Sequence, residues 1–259
     1  MTDLDSSLRA VANRLAQSER VLFITGAGIS ADSGLPTYRG LGGLYNDGTT
    51  DEGMPIEDAL SGDTLTRRPE LTWKYLAQIA DNCHRAQPNA AHHAIAALQQ
   101  RMERVVVFTQ NIDGLHRHAG SDTLIEIHGN LDDLYCTACD HQQAMPDLRG
   151  QPLPPLCPSC GSVLRPNVVL FGEALPEDAM DNFLDACADG IDMVFSIGTS
   201  SVFPYIIEPV IWAINNNIPT VEINPTATQL SRHVDYHLPI GAAEAMSKLL
   251  ELLDSTDVD

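Results

Sequence analysis

The chain has 259 residues, 44% of them hydrophobic, and a formal net charge of −20 from 35 acidic and 15 basic residues. Because binding to nucleic-acid phosphates requires clustered positive charge, this balance argues against nucleic acid as a direct partner. No apolar run reaches membrane-spanning length and the N-terminus lacks the basic start of a signal peptide, so we expect a cytoplasmic protein without a membrane partner. An acidic surface would attract lysine-rich proteins, but solubility or a salty cytosol explains the charge equally well.

Apolar residues at helical spacing predict a first helix over residues 4–18, and a strand follows at 20–25. Residues 55–102 are expected to be helical, with breaks at Pro69 and Pro88. The remaining predicted elements are strands at 105–109, 123–127, 168–171, 193–197 and 220–223, and helices near 176–189, 205–216 and 242–253. Strands that alternate with helices predict an α/β fold with a parallel sheet covered by helices on both faces.

The strand at 20–25 leads directly into a glycine-rich turn with the sequence Gly26-Ala27-Gly28-Ile29-Ser30-Ala31. This G-x-G-x-x-A pattern is a dinucleotide-binding fingerprint, because bare backbone N–H groups at the start of a helix hold a phosphate. Gly26 and Gly28 would permit the tight turn and the close approach of a pyrophosphate. The alternative is a strand-to-helix turn without a ligand, and the apolar run before the turn favours nucleotide binding.

The segment after this turn differs from that of a hydride-transferring dehydrogenase, in which a second strand ends in an acidic residue that holds the adenosine ribose. Residues 32–45 contain four glycines and a proline, which predicts a loop instead. The loop carries Arg39 between Tyr38 and Tyr45. An arginine on such a loop can close over a dinucleotide and pair with its phosphates, although a solvated position is the more common outcome for a lone arginine.

Four of the six cysteines follow the pattern C-x₂-C-x₁₇-C-x₂-C, which is the spacing of a zinc ribbon. They are Cys136, Cys139, Cys157 and Cys160. Four thiolates suit a closed structural Zn²⁺ site, whereas the alternative of two disulfides conflicts with the expected cytoplasmic location. We therefore predict that the metal folds a segment over residues 131–165, and we interpret Cys83 and Cys187 as core residues.

Polar residues follow four of the predicted strands, where ligands bind in open α/β sheets. The four segments are 109–116, 128–130, 198–201 and 224–226. Each alone would ordinarily be a turn or a helix cap, but their repetition at strand ends favours a site. His128 is the best candidate general base, because its ordinary pKa lies near working pH and Gly129 leaves room for a ligand. Asn111 and Asp113 are candidates to recognise a carboxamide and orient a water molecule.

Together these motifs resemble the sirtuins, a family of NAD-dependent protein lysine deacylases. The motifs GAGISADSGLPTYRG, TQNIDGLH, IHGN, the paired C-x₂-C, VVLFGE, GTS and INP occur in the order found in that family, over roughly residues 20–243. The resemblance implies a Rossmann-like NAD-binding domain and a smaller domain, with NAD and the acyl-lysine entering the cleft between them. The implied large domain comprises 1–40, 86–130 and 166–259, and the small domain combines a helical insert over 41–85 with a zinc ribbon over 131–165.

The resemblance also implies the roles of individual residues. The implied catalytic residues are His128, Asn111 and Asp113. The implied NAD-binding residues are Gly26, Ala27, Gly28, Ser30, Arg39, Gln110, Asn111, Ile112, Asp113, Gly198, Thr199, Ser200, Asn224, Pro225, Thr226 and Ala243. The implied acyl-lysine-binding residues are Val169, Phe171 and Gly172, and the four clustered cysteines would hold a structural zinc ion. The expected reaction converts NAD and acyl-lysine to lysine, nicotinamide and 2′-O-acyl-ADP-ribose, with His128 acting as base on the ribose hydroxyls.

One helix of the implied small domain bears on acyl specificity. The sirtuin branch that removes succinyl and malonyl groups carries a Tyr-x-x-Arg pair there. Alignment on Trp73 places Leu76 and Ile79 at that pair, and a shift of one residue places Tyr75 and Gln78 there. Neither alignment supplies an arginine, so a buried acyl carboxylate would lack a charge partner and we predict a preference for neutral acyl groups, most simply acetyl. The alternative functions are mono-ADP-ribosyl transfer and a catalytically silent role as an NAD sensor or a zinc-bearing interaction module.

Overall fold

The protein is described by a computed structural model that covers residues 3–37 and 49–256. Arg39, which the sequence assigns to the NAD-binding loop, lies outside the described residues. In chain order, the strands are β1 (Arg20–Thr25), β2 (Arg104–Thr109), β3 (Leu124–Glu126), β4 (Gly129–Cys136), β5 (Gln142–Ala144), β6 (Leu164–Val168), β7 (Met193–Ile197), β8 (Thr220–Ile223) and β9 (Tyr236–Leu238).

The helices confirm most of the predicted bounds. In chain order they are α1 (Asp3–Leu15), a 3₁₀ helix (Ala27–Ser33), α2 (Ile56–Ala59), α3 (Gly62–Arg67), α4 (Pro69–Arg85), α5 (Ala90–Gln99), α6 (Leu115–His118), α7 (Glu177–Cys187), α8 (Pro204–Asn215) and α9 (Ala242–Thr256). Pro69 occupies the first turn of α4, where its missing N–H costs nothing, and the Asn89 side chain caps α5. Within the described ranges, no helix is both long and apolar enough to cross a bilayer.

Six parallel strands form the main sheet in the order β3-β2-β1-β7-β8-β9. Successive side chains of β1 point to opposite faces of the sheet, and both sets are apolar, which explains why helices cover both faces. Val21 and Phe23 lie in one core with α1, α5 and α9, whereas Leu22 and Ile24 lie in a second core with α7 and α8. A strand buried on both faces reads as a continuous apolar run, which is why the sequence alone located β1.

The predicted strand at 168–171 is wrong as part of the main sheet. Its start, Val168, belongs to β6, which pairs antiparallel with β4 in a separate sheet of order β5-β4-β6. The apolar side chains of Val168 and Leu170 pack in a third core around Trp73 rather than between the main sheet and its helices. The parallel strand that sequence reasoning missed is β9, which has only three residues and half-buried positions at two of them.

The third core joins two segments that are distant in the sequence. Apolar residues of α2, α3 and α4 pack there against residues of β4 and β6 and against Cys136 and Cys157. The Trp73 indole is fully buried, and its Nε1–H donates to the carbonyl oxygen of Leu164 over 2.9 Å. The helical segment and the cysteine-bearing segment therefore form one packed unit.

The backbones of β1 and β7 come unusually close at their carboxyl ends. The Gly28 N–H donates to the Gly198 carbonyl oxygen over 2.8 Å, and a Cβ on Gly28 would lie 2.5 Å from the Gly198 Cα. Gly198 itself has φ of +61°, a conformation that favours glycine. This contact leaves no space for a side chain at either position.

We expect Gly28→Ala to lower the free energy of unfolding by about 1–3 kcal/mol, because the new methyl group collides with rigid backbone. Urea denaturation monitored by circular dichroism measures the loss. Gly241→Ala is the matched control, because its Cβ would lie 3.4 Å from the Asp32 carboxylate, an ordinary contact. Equal stability of the two variants would contradict the close approach.

Candidate active site and metal centre

The topology predicts a crevice at the carboxyl ends of β1 and β7, the adjacent strands at the centre of the main sheet. The chain continues from β1 to β2 on one side, whereas β7 is followed by β8 on the other side, so the connections diverge at this point. Ligands bind at such switch points in parallel α/β sheets. The glycine-rich turn at 26–28 and the segment at 198–201 both begin there.

A buried network of three polar side chains occupies one side of this crevice. The Asn111 amide donates to the carbonyl oxygen of Gly26 over 3.1 Å and to the Ser30 hydroxyl over 3.3 Å. Ser30 in turn donates to the Asp113 carboxylate over 2.7 Å. Burial raises the pKa of Asp113, against the opposing effect of the Leu115 N–H and the Ser30 hydroxyl. The structure therefore links Ser30 of the glycine-rich segment to Asn111 and Asp113 after β2, and their roles toward NAD stay predictions.

A second group of side chains lies across the crevice, around Thr199. The Gln110 amide donates to the Thr199 hydroxyl over 3.0 Å, and the Asn224 amide donates to the Thr199 carbonyl oxygen over 3.1 Å. Asn224 also accepts from the backbone N–H of Thr226 over 3.1 Å. The exposed residues Ser200 and Pro225 flank this group in the chain. The amides and hydroxyls offered here match the hydrogen-bonding needs of ribose and phosphate oxygens.

Ala243 lies apart from these groups, in the first turn of α9. Its backbone N–H donates to the Asp32 carboxylate over 3.1 Å, which ties α9 to the end of the 3₁₀ helix. The structure thus gives Ala243 a connection to the segment that follows the glycine-rich turn, and its contact with adenine remains a prediction.

His128 has hydrogen-bond partners at both ring nitrogens. Its Nδ1 lies 2.9 Å from the carbonyl oxygen of Gln110, and its Nε2 lies 2.7 Å from the hydroxyl of Tyr205. Burial lowers the pKa of His128, and the Gln110 carbonyl partly opposes this shift. A histidine that is neutral at physiological pH is suited to accept a proton.

His116 is a structural residue rather than a second base. It is fully buried beneath the crevice, its Nε2 lies 3.0 Å from the Thr25 hydroxyl, and burial holds its pKa well below the usual range. Thr25 donates to Thr109 over 2.8 Å, and the Thr109 hydroxyl accepts from the Asn111 N–H. The chain of contacts supports the strand end that carries Asn111.

The segment at 168–173 links His128 to the small sheet. The Val169 N–H donates to the carbonyl oxygen of His128 over 2.9 Å, and the Phe171 N–H donates to the carbonyl oxygen of Leu60 over 3.0 Å. These hydrogen bonds fix the backbone of Phe171. Its side chain remains 39% exposed, so the ring is free to contact a ligand. Gly172 follows with φ of +80°, which turns the chain after Phe171.

The four clustered cysteines form a site suited to zinc. Their Sγ atoms all lie within 4.8 Å of one another. The Sγ atoms of Cys136 and Cys160 are 3.4 Å apart, and those of Cys139 and Cys157 are 3.7 Å apart. Tetrahedral coordination at a Zn–S distance of about 2.3 Å requires sulfur separations of about 3.8 Å. The residues present therefore fit a closed Zn²⁺ site with no position for a substrate.

Comparison with known proteins identifies the family. The model of the Sir2 family matches residues 26–204. This chain belongs to the Sir2 family. A protein named NAD-dependent protein deacylase 2 from Pseudomonas aeruginosa is 51% identical over 252 residues, which cover 96% of this chain and 98% of that protein. A protein of the same name from Pseudomonas syringae is 52% identical over 242 residues, which cover 92% and 97% of the two chains.

Solved Sir2 structures share the whole fold. A Sir2 homologue in complex with NAD superposes with a TM-score of 0.84 at 34% identity, covering 95% of this chain and 94% of that chain. A complex of Sir2 with a p53 peptide and NAD⁺ superposes with a TM-score of 0.82 at 27% identity, covering 96% and 98%. The homologues and the NAD complex support NAD-dependent deacylation as the activity of this Sir2-family chain and NAD⁺ as its co-substrate.

Sequence reasoning missed several residues that support the site of this Sir2-family protein. Arg165 pairs with Glu173 over 2.7 Å and donates to the Val168 carbonyl oxygen, which braces the segment at 168–173. Glu222, fully buried in β8, accepts hydrogen bonds from hydroxyl groups on the loop after that strand. A carboxylate inside the apolar run of β8 was the available signal, because a buried charge requires partners. For Tyr205 no signal existed, since its contact with His128 joins residues 77 positions apart.

We expect the purified Sir2-family protein to contain about one zinc ion per chain, as a closed four-thiolate site requires. Cys160→Ser should lose the metal and lower the melting temperature by more than about 5 °C, because the metal holds together a segment of the third core. Zinc analysis by atomic emission and a thermal unfolding scan measure both effects. Cys187→Ser, which changes a half-buried cysteine outside the cluster, is the control; zinc retained in both variants would contradict the assignment.

Proposed function

We propose that this Sir2-family chain removes neutral acyl groups, chiefly acetyl, from protein lysines, and that His128 is the general base. The observation that carries the proposal is the 2.9 Å contact of the His128 Nδ1 with the carbonyl oxygen of Gln110, the residue before Asn111, whose amide is linked through Ser30 to Asp113. Burial lowers the pKa of His128, which favours the neutral form that a base needs. NAD supplies an electrophilic ribose carbon when nicotinamide leaves, and free lysine and 2′-O-acyl-ADP-ribose are the other products. The p53 peptide and NAD⁺ bound by a Sir2 neighbour support a peptide substrate for this chain.

The donor set of the crevice fits NAD. We assign the phosphate loop to residues 26–30 and the ribose and carboxamide contacts to residues 110–113. Residues 198–200 and 224–226 would hold the remaining phosphate and adenosine groups, with Ala243 and Arg39 as further contacts. Support comes from the hydroxyl and amide groups that line both sides of the crevice within hydrogen-bonding distance of one another. Asn111 and Asp113 would orient the carboxamide and a water molecule.

We assign acyl-lysine binding to Val169, Phe171 and Gly172. The backbone of this segment is fixed, because the Val169 N–H bonds to His128 and both backbone groups of Phe171 are paired with Leu60 and Gly62. It therefore presents a rigid surface to an extended peptide. Phe171 presents an exposed ring, which suits contact with the aliphatic part of a lysine side chain. The net charge of −20 favours lysine-rich protein partners over nucleic acid.

We also propose the division into two domains. The large domain comprises residues 1–40, 86–130 and the C-terminal part, and the small domain combines the insert at 41–85 with the zinc ribbon. The shared core around Trp73 supports the pairing of the two inserts. Because β6 pairs within the small sheet and Leu170 packs in its core, we place the last boundary after Leu170 rather than at 166. A reduced four-cysteine site favours a cytoplasmic location.

His128→Ala should reduce NAD-dependent deacetylation of an acetyl-lysine peptide by at least about 100-fold, the usual contribution of a general base. Release of 2′-O-acetyl-ADP-ribose, followed by mass spectrometry, measures the rate. His93→Ala, which alters an exposed histidine of α5, should leave the rate unchanged. Labelled ADP-ribose that stays on the protein would favour mono-ADP-ribosyl transfer, and NAD binding without turnover would favour a sensor.

The acyl preference depends on which residue of α4 approaches the catalytic network, and a cavity beside that network bears on this. Ile79 lines this cavity together with Ala27, Asn111 and Asp113, and none of the described residues that line it carries a positive charge. Gln78 is exposed, and the Tyr75 hydroxyl is engaged by Glu52 over 2.6 Å. The geometry therefore favours the alignment that places Ile79, rather than Gln78, at the position of the arginine in desuccinylases.

We expect kcat/KM for a succinyl-lysine peptide to be at least about tenfold below that for the acetyl-lysine peptide, because neither alignment of α4 supplies an arginine to pair with the acyl carboxylate. Ile79→Arg should raise the ratio of succinyl to acetyl activity, whereas the matched variant Gln78→Arg should not. Steady-state kinetics with both peptides measures the ratio, and a melting curve checks that each variant is folded. Wild-type activity on succinyl-lysine that equals activity on acetyl-lysine would refute the preference.

A further inference from the structure

Tyr205 is hydrogen-bonded to His128, but none of the proposed functions above gives Tyr205 a role. Tyr205 lies in the first turn of α8, six residues after the turn that begins at Thr199. Its hydroxyl lies 2.7 Å from the Nε2 of His128, and the two rings meet edge to face with centroids 5.9 Å apart. The atom that would accept a proton during catalysis is therefore covered by a phenol.

The two partners of His128 determine which nitrogen carries the proton. The Gln110 carbonyl can only accept a hydrogen bond, so the Nδ1 of His128 must be protonated. In the neutral ring the Nε2 is then an acceptor. Burial raises the pKa of Tyr205 to about 12, so the phenol keeps its proton and donates it to Nε2.

Tyr205 is half-buried at the edge of the second core. Its ring stacks on Phe203, with centroids 5.5 Å apart and planes 16° from parallel. It is carried by the same segment that supplies Thr199 and Ser200 to the crevice. A ligand that reorganises this segment therefore also acts on the contact between Tyr205 and His128.

We propose that Tyr205 is a positioning residue that holds His128 in the Nδ1–H tautomer, caps its Nε2 while the site is empty, and yields that nitrogen to a ribose hydroxyl of NAD. This inference rests on the proposed role of His128 as the base. Tyr205 takes no proton itself: in the empty site it donates a hydrogen bond, and on ligand binding the ribose hydroxyl replaces it as the donor to Nε2.

The contact also has a pH consequence with a definite sign. A donor to Nε2 stabilises the neutral imidazole, which lowers the pKa of His128 and keeps the base active at lower pH. The carboxylates on neighbouring elements are engaged elsewhere, Glu126 by Arg117 and Asn130, and Asp113 by Ser30 and the Leu115 N–H. His116 beneath the crevice is itself held neutral by burial. Removal of the phenol should therefore raise the pKa of His128.

The first test is an NMR titration of the histidine side chains in the protein without NAD, with His128 assigned from the spectrum of His128→Ala. The wild-type ring should be the Nδ1–H tautomer, and Tyr205→Phe should raise its pKa by about 0.5–1 unit, the equivalent of one net hydrogen bond. Tyr236→Phe, which removes a hydroxyl from β9, should leave the pKa of His128 unchanged. An unchanged pKa in Tyr205→Phe, or an Nε2–H tautomer in the wild type, overturns the proposal even if the variant proves unstable.

The second test is the pH profile of kcat/KM for NAD. In Tyr205→Phe the acidic limb should move up by the same amount as the His128 pKa, while activity at pH values about two units above that limb stays within about twofold of wild type. A pH-independent loss overturns the positioning role: a small loss indicates a structural contact only, and a loss of about 100-fold indicates that the phenol relays the proton. Absence of deacylation in the wild type would refute the proposed function and leave the NMR result to decide the role of Tyr205.

Discussion

The close backbone contact between Gly28 and Gly198 is the constraint on which the arrangement of this protein depends. It joins the ends of β1 and β7 at the point where the chain leaves the sheet in two directions. Because neither position has room for a Cβ, the glycine-rich turn and the 198–201 segment meet without side chains between them. The polar residues that follow each glycine are thereby brought together at one end of the sheet. The fold itself therefore requires glycine at positions 28 and 198, independently of any close approach of a pyrophosphate.

Within that crevice, the polar groups are largely bonded to one another rather than left open. Ser30, Asn111 and Asp113 form one network, and Gln110, Thr199 and Asn224 form another on the opposite side. Preorganised donors and acceptors of this kind lower the cost of orienting a bound co-substrate. The Gln110 backbone links these networks to His128, since its carbonyl oxygen lies 2.9 Å from the His128 Nδ1. The histidine that follows β3 is therefore bonded to the segment that follows β2.

The packed unit of helical and cysteine-bearing segments is connected to the residues around His128 through the chain that follows β6. The third core packs α4 against β4 and β6, and the Trp73 indole is hydrogen-bonded to β6. Directly after β6, the backbone of Phe171 is held by Leu60, and Arg165 pairs with Glu173. The segment proposed to bind the acyl-lysine is thus held both by the helical segment, through Leu60, and by β6, through Arg165. A closed metal site can in this way support substrate binding without taking part in the reaction.

The sequence by itself determined the parts of this protein that depend on local chemistry. Buried strands such as β1 read as apolar runs, cysteine spacing located the metal centre, and polar residues after strands marked the crevice because parallel strands end at a common edge. Only the tertiary structure decided that the segment at 168–171 lies outside the main sheet and packs in the third core, because an apolar run is compatible with either core. The three residues of β9 were too short for a pattern. The contact of Tyr205 with His128 likewise needed the fold, because it joins residues 77 positions apart that no local rule relates.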